Sequence, residues 1–465
     1  MITPDSDWIE KSLYDEYVQR SEDNMENRNI VKKGDVLLAS TGEGTLGKCC
    51  VYDKDIPAIA DGHVTIIRVD KKIIDPYYLT DYLRCGFGEK QIACFYSGST
   101  GLIELTPEQV DMIIIDNAGE KQDINVQKEI SKAIRRREKK YITQIEEAKE
   151  LLEYLKNTAG QQIITGQHTQ TIPCEEIAYI RQTTGKEPKL RGFELLAYSP
   201  NINYADASPE CLKEVEENKG TVETALQWAR ANRPDKVNDT GTENSTDYAT
   251  GGILTFSFHW FSPLGGRDKS FYTEHTDFDA TKVLQEGTPE RAAFYADMDV
   301  IADILRRFQD ENIPILWRPF HESYGTWFWW GAKGAKVARD LYRLMFDYYT
   351  GEKNLHNLLW VWNCDIEEAY PGDEYVDVVS IDVYLPEYQS TDYADAYEKL
   401  VAATSRDKVA ALAEVGYLPD VELLQKSRIP WAYYMTWSKE FCIGEKYNRV
   451  ENLKKMYDSE YAVTL

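Results

Sequence analysis

The chain has 465 residues, enough for a barrel-sized domain with a smaller companion. Hydrophobic residues make up 43% and charged residues 28%, ordinary globular usage, and no apolar run nears the roughly 18 residues of a membrane helix. Disordered, fibrous and helical membrane classes are thereby excluded, and a net charge of −25 repels phosphate backbones and anionic lipid, so a neutral ligand fits better.

The first residues, MITPDSDWIEK, lack a basic start followed by an apolar stretch, so no export signal is visible and localisation stays undetermined. From Val31 to about Ile115 short β-rich runs are broken by Gly and Pro: Gly34 to Leu38, His63 to Val69 and Met112 to Ile115, with a helix expected near Pro76 to Cys85. This predicts a small α+β unit. From about Val126 to Lys156 apolar residues recur every three or four positions, which predicts one long connecting helix ended by Thr158-Ala159-Gly160. Its basic run, Arg135 to Lys140, is read first as a solvated face.

After Gly160, strand-like and helix-like segments alternate. The strand candidates are Gln162 to Thr165, Gly192 to Ala197, Gly252 to Phe258, Ile313 to Phe320, Leu358 to Trp362, Val376 to Ile381, Val409 to Ala413 and Trp431 to Thr436. Helix candidates are Glu175 to Gln182, Thr221 to Ala231, Pro289 to Gln309, Ala335 to Tyr349, Tyr393 to Thr404, Val421 to Lys426 and Glu451 to Tyr457. Eight such units predict an α/β fold, a (β/α)8 TIM barrel, with no helix visible after the fifth strand. A doubly wound open sheet is the alternative, but no Gly-rich phosphate turn follows the first strand.

In a barrel, reactive side chains sit at the C-terminal ends of strands. The fourth strand runs into Arg318-Pro319-Phe320-His321-Glu322 and the seventh into Ala413-Glu414-Val415-Gly416, so each brings a glutamate to the open end. Two carboxylates facing one another suit glycosidic hydrolysis, Glu322 as acid/base and Glu414 as nucleophile; retention asks for about 5 to 5.5 Å between them. Apolar neighbours such as Trp327 to Trp330 would raise Glu322, while Glu414 stays ionised near the cation Arg318. His259, Trp260, Asp382, Tyr384 and Trp437 also fall at strand ends and predict a substrate groove; His168 is divided evenly between lining the site and packing beneath it. The 11 Trp and 31 Tyr suit sugar rings as well as cores. There is no HExxH, no Walker loop and no Cys/His spacing for zinc, so neither metal nor cofactor is expected.

The stretch from Ala148 to the C-terminus resembles glycoside hydrolase family 26, whose best-known members are endo-β-1,4-mannanases. The matching pieces include Ile164-Thr165-Gly166-Gln167-His168, Gly192-Phe193-Glu194-Leu195, Phe258-His259-Trp260, Arg318 to Glu322 with Trp327-Phe328-Trp329-Trp330-Gly331, Asp382-Val383-Tyr384, Ala413 to Gly416 and Thr436-Trp437. The resemblance implies a metal-free retaining mechanism on Glu322 and Glu414. It further implies a cleft lined by His259, Trp260, His321, Trp327, Asp382, Tyr384 and Trp437, with Tyr384 bonded to the nucleophile. The substrate it implies is β-mannan or manno-oligosaccharide; similar enzymes include β-1,3-xylanases and mixed-linkage glucanases, and spacing does not separate endo from exo action.

Residues 1–147 resemble a different family, the target-recognition domain of a type I restriction-modification specificity subunit, through Val31 to Leu38, Asp75-Pro76-Tyr77-Tyr78-Leu79, Tyr96 to Gly101 and the helix from Gln127. That resemblance implies DNA contact through residues 1–147, which the acidic charge opposes. The expected domains are therefore 1–147 and 148–465. The rivals to a glycosidase are a non-catalytic carbohydrate-binding barrel and a DNA-recognition protein carrying a fused barrel.

Overall fold

The computed structural model describes residues 30–42, 45–56, 58–84, 86–99, 102–115, 127–128, 131, 144–170, 174–239, 242–389, 391–404 and 408–465. The chain divides into two compact units, Met1–Glu138 and Lys139–Leu465. No described helix is long and apolar enough to cross a membrane.

In the first unit, Val36–Ala39 is the middle strand of an antiparallel sheet between Cys49–Val51 and Val64–Ile67. Side chains alternate across a strand, so Val36 and Leu38 bury against Leu79 and Leu83 of the helix Pro76–Arg84, while Leu37 buries on the other face with Val31, Tyr52 and Ala58. The expected strand over Met112 to Ile115 does not form. The Gln91 side-chain amide takes both backbone groups of Ile114 instead: its Nε2 donates to the carbonyl at 2.8 Å and its Oε1 accepts from the N–H at 2.9 Å, so Ile114 needs no neighbouring strand. The single connecting helix is also corrected. A helix begins at Glu146 after an extended Ile145 and runs to Thr158, and most of the expected helix before Gln144 lies outside the described residues.

The second unit is a closed parallel barrel. Its staves are β1 (Gly166–Thr169), β2 (Leu190–Glu194), β3 (Ile253–Ser257), β4 (Ile315–Arg318), β5 (Leu358–Asn363), β6 (Val378–Val383), β7 (Val409–Val415) and β8 (Trp431–Thr436). Each pairs with its sequence neighbours, and β8 pairs with both β7 and β1 to close the ring. The first stave sits further along the chain than expected, because Ile163–Ile164 is a short separate strand that also pairs with Ala462–Val463. Helices follow every stave except β5, after which the connection holds only the 3-10 turn Glu367–Ala369. A helix over Pro209–Glu217, capped by Ser208, follows β2 unannounced by the sequence reading.

Alternation along the staves sorts the core into two layers. Ile315 and Trp317 of β4 and Leu358, Trp360 and Trp362 of β5 bury against the helix shell. Leu316, Leu359 and Val361 point into the barrel with Leu190, Val378 and Ala411, and Ala148, Leu151 and Leu155 of the preceding helix join that inner cluster. Burying one such side chain contributes about 1.5–3 kcal/mol, so the register of each stave is strongly specified. The same alternation sends Glu194, Arg318 and Asp382 inward at the C-terminal ends of β2, β4 and β6.

Candidate active site

Strand β4 stops at Arg318 because Pro319 has no N–H for the ladder. The chain then turns sharply, with Phe320 at φ 51° and Glu322 at φ 53°, a left-handed backbone that costs non-glycine residues on the order of 1 kcal/mol or more. Specific bonds hold it. Glu322 N–H donates to Asn363 Oδ1 at 2.7 Å, Trp330 Nε1–H donates to the His321 carbonyl at 2.8 Å, and Gly325 N–H donates to the Glu322 carbonyl at 3.0 Å. Trp327 Nε1–H reaches Glu322 Oε2 at 2.9 Å.

Glu414 is aimed by an irregularity in β7. Leu412 packs into the helix shell, so a regular pleat would send residue 414 outward as well. The β6–β7 register instead steps from Ile381 opposite Leu412 to Asp382 opposite Glu414, skipping Ala413. This bulge turns Glu414 inward, as bulges beside active sites commonly do. Tyr384 O–H donates to Glu414 Oε2 at 2.7 Å, and Arg318 donates to Glu414 Oε1 and, at 2.9 Å, to Asp382 Oδ2. Asn363 Nδ2–H completes the set at Asp382 Oδ1, 2.8 Å away.

Glu322, Asp382 and Glu414 each offer a carboxylate oxygen within 4.8 Å of the others. Arg318, 1% exposed, bonds two of them; burial opposes its charge, but Asp382 and Glu414 hold it firmly protonated. Among the described residues no cation bonds to Glu322, and burial, reinforced by the Glu414 charge, pushes its carboxyl above the usual range. The two glutamates thus differ in environment: one is prone to carry a proton, the other is held by a guanidinium and a phenol.

On the opposite wall, Glu194 at the end of β2 is fully buried and accepts four hydrogen bonds, from His259 Nδ1 and N, from Ser257 Oγ and from Leu196 N, at 2.8 to 2.9 Å. Burial opposes its ionisation, yet His259 and these bonds draw its pKa down to about 2. His259 Nε2 meets His321 Nε2 at 3.2 Å. Burial, then the charge on His259, keeps His321 well below the ordinary histidine range and therefore neutral. His168 is buried in β1, depressed to about 3 by that burial, and stacks at 3.8 Å beneath Trp437. It supports the floor.

A cavity of about 440 Å³ opens over this assembly, lined by His259, His321, Glu322, Tyr384, Glu414 and Trp437 of the expected residues. Trp327 flanks it, 42% exposed and bonded to Glu322. Arg318 and Asp382 lie buried behind the Glu414 carboxylate. Trp260 stands apart: it is 2% exposed, its indole N–H donates to Asp297 at 2.7 Å, and its ring packs on Phe294 and Trp329 in the shell. Being one residue past His259 along extended chain, it faces the other way. Sequence reading assigned no role to Glu194 or Asn363, although each ends a stave; nor did it find Tyr272, Phe271 and Glu214, which line the cavity from loops and from a helix with no strand-end signal.

The family model for Glycosyl hydrolase family 26 matches residues 222–465. The chain is 34% identical over 326 residues to a mannan endo-1,4-beta-mannosidase of Thermothelomyces thermophilus, covering 68% of this chain and 60% of the relative. It is 26% identical to mannan endo-1,4-beta-mannosidase A of Piromyces sp, covering 68% of this chain and 48% of that one. Against these curated relatives the chain spans about half to three-fifths of their length. Among solved structures, a beta-mannanase from a symbiotic protist of the termite Reticulitermes speratus, complexed with gluco-manno-oligosaccharide, superimposes with a TM-score of 0.58 at 28% identity, over 69% of this chain and 94% of that one.

Proposed function

The chain belongs to glycosyl hydrolase family 26, and from that premise we propose that it is a retaining glycoside hydrolase cleaving β-1,4-mannosidic bonds in mannan, glucomannan or galactomannan. The observation that carries this reading is the approach of Glu322 and Glu414 to within 4.8 Å across the barrel mouth. That spacing leaves no room for the water an inverting enzyme needs between its carboxyls, which sit about 6.5–9.5 Å apart.

Glu322, biased toward its protonated form, gives its proton to the glycosidic oxygen as the bond to the anomeric carbon breaks. Glu414 supplies the electron pair, forming a glycosyl ester. Water then attacks the same carbon, losing its proton to Glu322 and releasing Glu414. Tyr384 and Arg318 orient the Glu414 oxygens so that one is presented to the sugar. Trp437, braced from below by His168, offers a ring face to the pyranose, and Trp327 holds Glu322 on the leaving-group side. His259 and His321 complete the wall opposite Glu414. Mannan as substrate is supported by the relatives, which are mannan endo-1,4-beta-mannosidases.

Reducing-end release from β-mannan, compared with xylan and mixed-linkage glucan, tests the substrate, and NMR of the first product tests the mechanism. A β-configured first product and loss of at least about 10³-fold in kcat for Glu414→Ala are expected. An α-configured first product, or an active Glu414→Ala variant, would overturn the assignment.

For residues 1–147 the reading as a target-recognition-like module rests on their sequence motifs. At a chain charge of −25 the expectation is no salt-dependent, sequence-selective gel shift with duplex DNA; such a shift would favour the DNA-recognition reading.

A further inference from the structure

Glu194 is too well bonded to be a passive filler. It sits behind the cleft wall with no access to substrate, and among the described residues no Lys or Arg side chain bonds to it; its charge is balanced by His259 alone. His259 in turn is clamped edge-on between Phe271 and Phe328, with centroids 5.2 and 5.4 Å away, and both its ring nitrogens are engaged, one on Glu194 and one on His321. His259 lines the cavity together with Glu322 and Glu414, and Glu194 does not. The positive end of this ion pair is therefore the one that borders the cavity, with the negative end buried behind it.

We propose that Glu194 is a positioning residue acting through His259: the buried pair is a fixed dipole whose positive end faces the cleft and sets the protonation of Glu322. The inference rests on the proposed roles of Glu322 and Glu414. A low-dielectric surround makes such a dipole effective over the few ångströms involved.

Proton placement follows from a charged His259: both its ring nitrogens then carry protons, and its Nε2–H needs an acceptor. Neutral His321 provides one at Nε2, leaving its own proton on Nδ1, which has no partner among the described residues. The charged and titratable groups around His259 are consistent with this. Glu194 on β2, Glu414 on β7 and Glu214 on the helix Pro209–Glu217 favour its charge; burial opposes it, and the balance lies above the ordinary histidine value. His259 in turn lowers Glu322 and His321, while His168 on β1 and Arg318 on β4 act on the neighbouring groups of the same layer.

The test is Glu194→Gln, which keeps the shape. Its Oε1 can still accept from the His259 and Leu196 N–H groups, and its Nε2–H would donate to His259 Nδ1, forcing a neutral imidazole with the proton on Nε2. Removing the positive end raises Glu322, so the alkaline limb of the kcat/KM profile should move to higher pH by about one unit, and Glu194→Asp should return it. A bracing role alone would lower Tm and leave the profile in place; that outcome overturns the proposal. NMR titration of His259 in the wild-type protein gives a second reading that needs no variant and no substrate: the ring must stay protonated through neutral pH. A ring already neutral there overturns the proposal even if the hydrolase assignment stands, whereas failure of Glu414→Ala to lose activity would overturn that assignment while leaving the NMR result intact.

Discussion

Trp327 Nε1–H donates to Glu322 Oε2 at 2.9 Å, and this is the one side-chain bond the described residues make to that carboxylate. It stabilises the charged form against burial and the Glu414 charge, both of which act the other way. In Trp327→Phe the donor is gone and the ring remains, so the Glu322 carboxyl should rise further. The alkaline limb of kcat/KM should move up by about 0.5–1 unit, because the acid form then persists to higher pH. A limb that stays put, or moves down, would show that the indole does not act on this proton.

Among the described residues Arg318 is the only charge bonded to both Asp382 and Glu414, and all three are buried. Arg318→Met should therefore strand two carboxylates and lower the stability by about 3–5 kcal/mol near neutral pH. The loss should shrink on acidification. In the variant the folded-state carboxyls have raised pKa values, so they bind protons that the unfolded chain does not, and stability is recovered as pH falls and lost as it rises. Denaturant unfolding at pH 5 and pH 8 checks the sign; an equal loss at both would contradict it.

Asp297, on the helix following β3, accepts from Trp260 Nε1 at 2.7 Å and from Asn201 Nδ2 at 2.8 and 2.9 Å, yet no cation among the described residues bonds to it. Burial pushes it from 3.8 up to about 6. Because the folded pKa is the higher one, its contribution to stability is fully present below about pH 4 and is lost as pH rises through 6, about 3 kcal/mol in all. Asp297→Asn does not titrate, and Asn201 can turn its amide to meet the new one. The stability difference, variant minus wild type, should therefore grow in the variant's favour between pH 4 and pH 7. A difference independent of pH would refute the assignment.

What the chain's own pattern settled is what depends on neighbours close along it. Strand-like runs set between helix-period segments marked staves β2 to β8 and the absent helix after β5, though the first stave was placed on the short strand before it, and both glutamates were legible because they follow runs too apolar to be anything but buried parallel strands. The helices Thr221–Ala231 and Pro289–Gln309 were found with their observed limits. Where the reading failed, the cause lies between segments far apart. Trp260 was grouped with His259, but packing against Phe294 and Trp329 claimed it for the shell. Met112 to Ile115 was apolar enough for a strand, but Gln91 satisfied its backbone.

By itself, then, the sequence determined that a parallel barrel forms and that acidic side chains gather at one end, since hydrophobic periodicity and strand-end position are local properties. Only the tertiary structure decided that they could work together. Skipping Ala413 against β6 turned Glu414 from the shell to the interior. Asn363, from a stave 41 residues later, holds the backbone of Glu322 in its left-handed turn. A one-residue shift in pairing reverses the direction of a side chain, and that shift is chosen by the strand alongside, not by the residues within.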